Sequence, residues 1–227
     1  LTNRITGKSA ISYTDYTAIA QLFNEYMAFT VYADSPLKSG RDLAERLRKD
    51  PASLSISVST SLGNANHIAL VLVAKAAGGD IRKPKTVVFN SAGDAMTALA
   101  GKHVDVIVTG PANQVPLAQA GKVRILAIAA PRRLTGALGE VPTWKEQGVD
   151  VVAGTWRAVV APGGLGAAQI AYWDEVFSKL SRGEEWQRDL ERNHFANTYT
   201  ASRETRQFFD AQNGRLRAVL AELGLAR

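Results

Sequence analysis

The sequence predicts an α/β fold built on a parallel sheet with helices on both faces. Three observations predict it. Short apolar β runs alternate with stretches of helical periodicity, three of the β runs end in small polar residues, and 227 residues suffice to bury a substantial core.

Each element follows from local chemistry. Ala28 to Ala33 is a strand. Ser39 is placed to cap a helix running through Arg48, and Asp50-Pro51 ends it, because the residue before a proline is pushed out of the helical region. The run Leu54-Ser55-Ile56-Ser57-Val58 is a second strand. It breaks into Ser59-Thr60-Ser61-Leu62-Gly63-Asn64, and a helix begins at Ala65, passes His67, Leu70 and Val73, and closes at Gly78-Gly79. Thr86 to Phe89 is a strand that turns through Asn90-Ser91-Ala92-Gly93 into a helix ending at Ala100. Val104 to Val108 is the next strand, and Thr109-Gly110-Pro111 leads to a short helix before Gly121. Val123 to Ala129 is another strand.

After Pro131 the pattern loosens. Thr143-Trp144-Lys145-Glu146 has the form of a capping box. Trp156 to Ala161 is a strand, and Pro162-Gly163-Gly164 opens onto a long helix from Ala167. Gly183 separates that helix from one around Trp186, and a last helix from Ser202 stops at Gly224, a natural residue just past a helix end. Gly139 to Gly154, rich in glycine and proline, is the expected crossing between domains.

Composition narrows the function. No run of about 18 apolar residues occurs, so no helix is expected to span a membrane. Cysteine is absent, which removes disulfides, thiolate nucleophiles and Cys-bound zinc. The net charge of +6 is spread by interleaving, as in Arg41-Asp42-Leu43-Ala44-Glu45-Arg46, and forms solvated helix faces rather than a nucleic-acid stripe. A mildly basic protein attracting small anions is the economical reading.

Enzyme signatures fall short. Gly164-Leu165-Gly166-Ala167-Ala168-Gln169 imitates a dinucleotide fingerprint, but Gln169 stands where Gly or Ala is needed. The three histidines, His67, His103 and His194, lie far apart, and there is no G-x-S-x-G elbow. Asp94 opens a helix, where an acid usually offsets the dipole. No cofactor or metal is expected.

The three strand ends Ser59-Thr60-Ser61, Asn90-Ser91-Ala92-Gly93 and Thr109-Gly110-Pro111 carry the functional signal. In a parallel sheet they share the carboxyl edge, where open α/β folds bind ligands. Unpaired N–H groups and the positive end of the helix dipole suit a carboxylate there. Ser61 or Asn64 could equally serve only as a helix cap. The competing reading is an α/β enzyme acting on a small organic acid, with His67 or Asp105 as acid–base.

The order of residues also resembles a family. Val31-x-x-Asp34-Ser35-Pro36, Asp42-Leu43, Asp50-Pro51 and Gly63-x-x-x-His67 are similar to the solute-binding (Bug) receptors of tripartite tricarboxylate transporters. The likeness continues through Phe89-x-x-x-Gly93-x-Ala95-Met96, Gly101-x-His103-Val104-Asp105, Gly121-Lys122-Val123-Arg124, Val141-Pro142-Thr143, Trp156-Arg157 and Leu223-Gly224-Leu225. It implies a periplasmic binding protein of the type II, Venus-flytrap kind with two doubly wound domains. Residues 1–33 would form part of the first domain, 34–147 the second, and 148–227 the crossing and the rest of the first. It implies a periplasmic receptor that captures a carboxylate-bearing solute for the transporter's membrane subunits. Its ligand positions fall on Ser59, Thr60, Ser61, Gly63, Asn64 and His67, on Asn90, Ser91, Ala92 and Gly93, and on Asp105. Asn90 stands where many members carry Lys, which favours a small acid of low charge. Trp156-Arg157 reads as a packing pair. The resemblance further implies that the family's signal peptide, first strand and Pro-Gly-Gly loop precede this chain, leaving the first domain incomplete and solute binding weak.

Overall fold

The computed structural model describes residues 1–58 and 60–227. In chain order the elements are α1 (Thr2–Ile5), β1 (Tyr16–Tyr26), β2 (Ala28–Tyr32), α2 (Gly40–Lys49), β3 (Ser55–Ser57) and α3 (Ala65–Ala76). Then come β4 (Lys85–Val87), α4 (Ala92–Ala100), β5 (Val106–Thr109), α5 (Val115–Gln119) and β6 (Val123–Ile128). The last are β7 (Gly154–Pro162), α6 (Ala167–Arg182), α7 (Glu184–Arg192), β8 (Ala196–Thr200) and α8 (Ser202–Glu222).

The chain divides into two compact units, Leu1–Asn24 with Trp156–Arg227, and Glu25–Thr155. These crossings lie outside the expected boundaries at 33/34 and 147/148. The reason is packing: β2 pairs with β5 and β6, and Val149 and Val151 belong to the same core as Phe29 and Trp144.

The second unit holds a five-stranded sheet in the order β4-β3-β5-β2-β6. Strand β3 runs parallel to both β4 and β5, whereas β2 is antiparallel to β5 and β6. The all-parallel expectation is therefore corrected to a mixed sheet with one reversed strand. An apolar run records that a strand forms but not which way it points; direction is decided by the pairing it finds. Both faces are covered, as the near-continuous apolar runs require. Phe29, Val31, Ile56, Val106 and Val108 pack with Leu43 and Leu47 of α2 and Leu70 and Val73 of α3. On the opposite face Ile107 and Val123 pack with Ala95, Met96 and Leu99 of α4. Trp144 is fully buried and meets Phe29 edge-on, with ring centroids 4.9 Å apart.

Caps form as the residue types dictate. Ser39 accepts from the Asp42 N–H at 3.2 Å while Asp42 reaches back to the Ser39 N–H at 3.0 Å, starting α2. Thr143 and Glu146 bond reciprocally in the same way, although only a single 3-10 turn follows.

The first unit is built on a three-stranded sheet in the order β7-β1-β8, with β1 and β8 antiparallel. Both β1 and β8 lie where the sequence reading assigned no strand. A register shift between Gln21 and Phe23 frees the Gln21 N–H, which donates to the buried Thr205 hydroxyl at 2.8 Å. Phe23 stacks on Phe195 at 4.7 Å, and Trp156 stacks on Phe209 of α8 at 5.2 Å, so Trp156 is a packing residue. Residues 154–162 of β7 include none that is fully buried, and in α6 only Ser181 is.

Candidate functional site

Strands β3, β4 and β5 point the same way, so the loops that leave them start at one sheet edge. Beyond β3 the Val58 N–H donates to the Val87 carbonyl at 3.2 Å and the Thr60 N–H to the Phe89 carbonyl at 2.7 Å. These bonds lay the loop before α3 alongside the loop before α4. Thr60 adopts φ 69° and Gly63 φ 79°, the left-handed region in which glycine carries no steric penalty.

Asn64 and His67 hold this loop together. The Asn64 side-chain oxygen accepts the His67 N–H at 2.9 Å, capping α3, while its amide donates to the Val58 carbonyl at 3.3 Å and to Thr60 Oγ1 at 3.0 Å. His67 Nδ1 accepts the Gly63 N–H at 3.0 Å, and the ring is buried, which pushes its pKa below the usual histidine value. The capping reading of Asn64 is correct, and its side chain faces back into the loop. Ser61 is half-buried, Thr60 and Leu62 are exposed, and Ser59 lies outside the described residues.

On the neighbouring loop, Ser91 caps α4 by accepting the Asp94 N–H at 3.1 Å. Asn90, Ser91 and Gly93 are exposed and Ala92 is half-buried. Two helix starts, α3 and α4, thus face the same edge, each with the partial positive charge of its dipole.

Asp105 is elsewhere. It precedes β5, at the amino ends of the strands, where its Oδ2 accepts both the Ser55 N–H and the Ser55 hydroxyl at 2.8 Å. Its role is to clamp β3 to β5, and expecting it beside the loops was mistaken. Val104-Asp105 sits at the wrong end of the strand to reach a ligand that binds where the strand finishes.

The third turn contributes differently from the other two. Gln114, fully buried, donates to the carbonyls of Thr109 at 3.0 Å and Gly110 at 3.3 Å and accepts from Thr30 Oγ1, so this turn's carbonyls point inward. Sequence reasoning missed Gln114; a lone glutamine just past a strand end was the available signal. A Cβ built on Gly110 would fall inside the Glu25 carboxyl group, so that carboxylate stands over the end of β5. Among the described residues, no group of three or more His, Cys, Asp or Glu side chains could hold a metal ion.

The second unit thus presents a mixed α/β sheet with two helix-start loops at one edge. Residues 8–225 match the family described as tripartite tricarboxylate transporter family receptor, and the chain belongs to it. That family consists of receptors, and the acid–base alternative is not supported. A ligand-free TctC solute-binding protein from Polaromonas is 22% identical, with a TM-score of 0.83 over 98% of this chain and 75% of its own. A protein of R. palustris solved with adipate is 21% identical, with a TM-score of 0.81 over 99% of this chain and 75% of its own. MatC from Rhodopseudomonas palustris, with bound malate, is 22% identical, with a TM-score of 0.71 over 96% and 75%. At these identities the likeness establishes the fold alone. No curated protein matches the chain by sequence. No helix is long and apolar enough to cross a membrane among the described residues.

Proposed function

We propose that this protein is a periplasmic receptor that captures a small organic acid by its carboxylate and delivers it to the membrane subunits of a tripartite tricarboxylate-type transporter. The observation that carries the reading is the Thr60–Phe89 backbone bond, which sets two helix-start loops side by side at one edge. Thr60, Ser61, Gly63, Asn90, Ser91, Ala92 and Gly93 surround the carboxylate, while Asn64 and His67 keep the first loop in shape. Backbone N–H groups and hydroxyls at two dipole ends suit an anion, and each charge-assisted bond contributes about 1.5–3 kcal/mol. Bound adipate and malate in two proteins of this fold support the ligand class. Asn90, neutral where many of the family carry Lys, favours a small acid of low charge.

Amide NMR of the isotopically labelled chain tests this. On adding adipate or malate, the N–H signals of Thr60, Ser61, Gly63 and Ser91 should move together with one dissociation constant, and the acid should be recovered unchanged. Shifts confined to other surfaces would remove the assignment of the site. Conversion of the acid at catalytic rates would remove the receptor reading.

A further inference from the structure

We infer that Leu62 and Val88 set the solute class of this receptor, selecting acids whose chain beyond the carboxylate is apolar over hydroxylated acids of the same length. The inference rests on the binding edge proposed above and deepens it.

Position comes first. Among the described residues of Glu25–Thr155, the large apolar side chains left exposed are Leu62, at 44%, and Val88, at 46%. The other large apolar side chains of that unit are buried or half-buried. Both exposed ones fall at the same edge. Val88 immediately precedes Phe89, whose carbonyl accepts the Thr60 N–H at 2.7 Å, and Leu62 follows Thr60 and Ser61 in the other loop. Single apolar side chains scattered over a surface need no explanation, but these two flank the one hydrogen bond that sets the loops side by side.

Chemistry comes second. Polar side chains of these loops are spent on the loops themselves. Thr60 Oγ1 accepts from the Asn64 amide, the Asn64 oxygen takes the His67 N–H, His67 Nδ1 takes the Gly63 N–H, and the Ser91 hydroxyl takes the Asp94 N–H. Segments 60–66 and 88–93 contain no charged side chain. A solute held there by its carboxylate lays its carbon chain beside Leu62 and Val88. Methylenes gain by leaving water against those side chains, whereas a hydroxyl gives up its water beside apolar groups.

The test titrates butyrate, 3-hydroxybutyrate and hexanoate against the whole chain at pH 7, followed at the Thr60 and Ser91 amides and at the methyl groups of Leu62 and Val88. Hexanoate should bind roughly tenfold more tightly than butyrate, the scale of burying two methylenes, and 3-hydroxybutyrate more weakly than butyrate. The Leu62 and Val88 methyl signals should move with the same dissociation constant as the amides. Leu62→Ser combined with Val88→Thr changes only exposed side chains, so the fold should persist while the advantage of hexanoate over butyrate disappears. If 3-hydroxybutyrate binds tightest, or the double variant keeps the original ratios, Leu62 and Val88 have no such role and the receptor site still stands. If none of the three acids nor adipate nor malate moves the Thr60 and Ser91 amides, the site itself fails and the inference with it.

Discussion

At Gly79 and Gly110 a side chain would strike very different neighbours. A Cβ on Gly79 would meet the Leu47 backbone carbonyl, which α2 holds in place, whereas one on Gly110 would meet only the end of the Glu25 side chain. Gly79→Ala should therefore destabilise the protein by about 1–3 kcal/mol, since the backbone must shift. Gly110→Ala should cost less than Gly79→Ala, because the atoms it meets belong to a side chain rather than to backbone. Urea unfolding measures both; equal destabilisation by the two substitutions would contradict the contrast.

His67 has a pH signature of its own. Burial lowers its pKa in the folded state, so below the ordinary histidine value of about 6.5 the unfolded chain binds more protons. Its contribution is thus fully present above that value and is lost as pH falls through the folded pKa. A protonated ring would also turn a donor toward the Gly63 N–H that it now accepts. Stability measured between pH 7.5 and pH 5 should fall, and His67→Asn should flatten the profile; an identical slope in the variant would refute the assignment.

Among the elements, α3 shows how a cap can shape a binding loop. Asn64 spends its oxygen on the helix and its amide on Val58 and Thr60, so one side chain starts α3 and ties down the loop before it. Asn64→Ala should cost about 1 kcal/mol of stability for the cap. It should also weaken acid binding by loosening Thr60, whereas Asn64→Asp should keep the cap but lose the amide bonds. Thermal unfolding and the amide titration separate the two; wild-type affinity in both variants would show that the loop needs no tether. The start of α3 was legible because small polar residues precede an apolar helical repeat. Whether Asn64 capped or bound was not legible, since one residue type serves both purposes.

For the molecule as a whole, burial divides the two units. In Glu25–Thr155 the central strands are enclosed on both faces, whereas β7 has no fully buried residue and α6 has one. Local opening costs least where few apolar groups are buried. Hydrogen exchange should therefore be slow for the amides of β3, β5 and β2 and much faster for α6 and β7. Uniform protection across both units would contradict this reading.

The sequence by itself determined the alternation of strands and helices from Ala28 to Ala129 and the caps at Ser39, Asn64 and Ser91, because each depends on neighbours a few residues away. Tertiary structure decided what depends on distant pairing. It reversed β2, brought β1 and β8 into one sheet, and moved the crossings to Asn24/Glu25 and Thr155/Trp156. It placed Asp105 at the far edge, bonded to Ser55, and set Glu25 over Gly110 across a long stretch of chain. Strand direction in a sheet is fixed by long-range hydrogen bonding, which no local pattern of residues records.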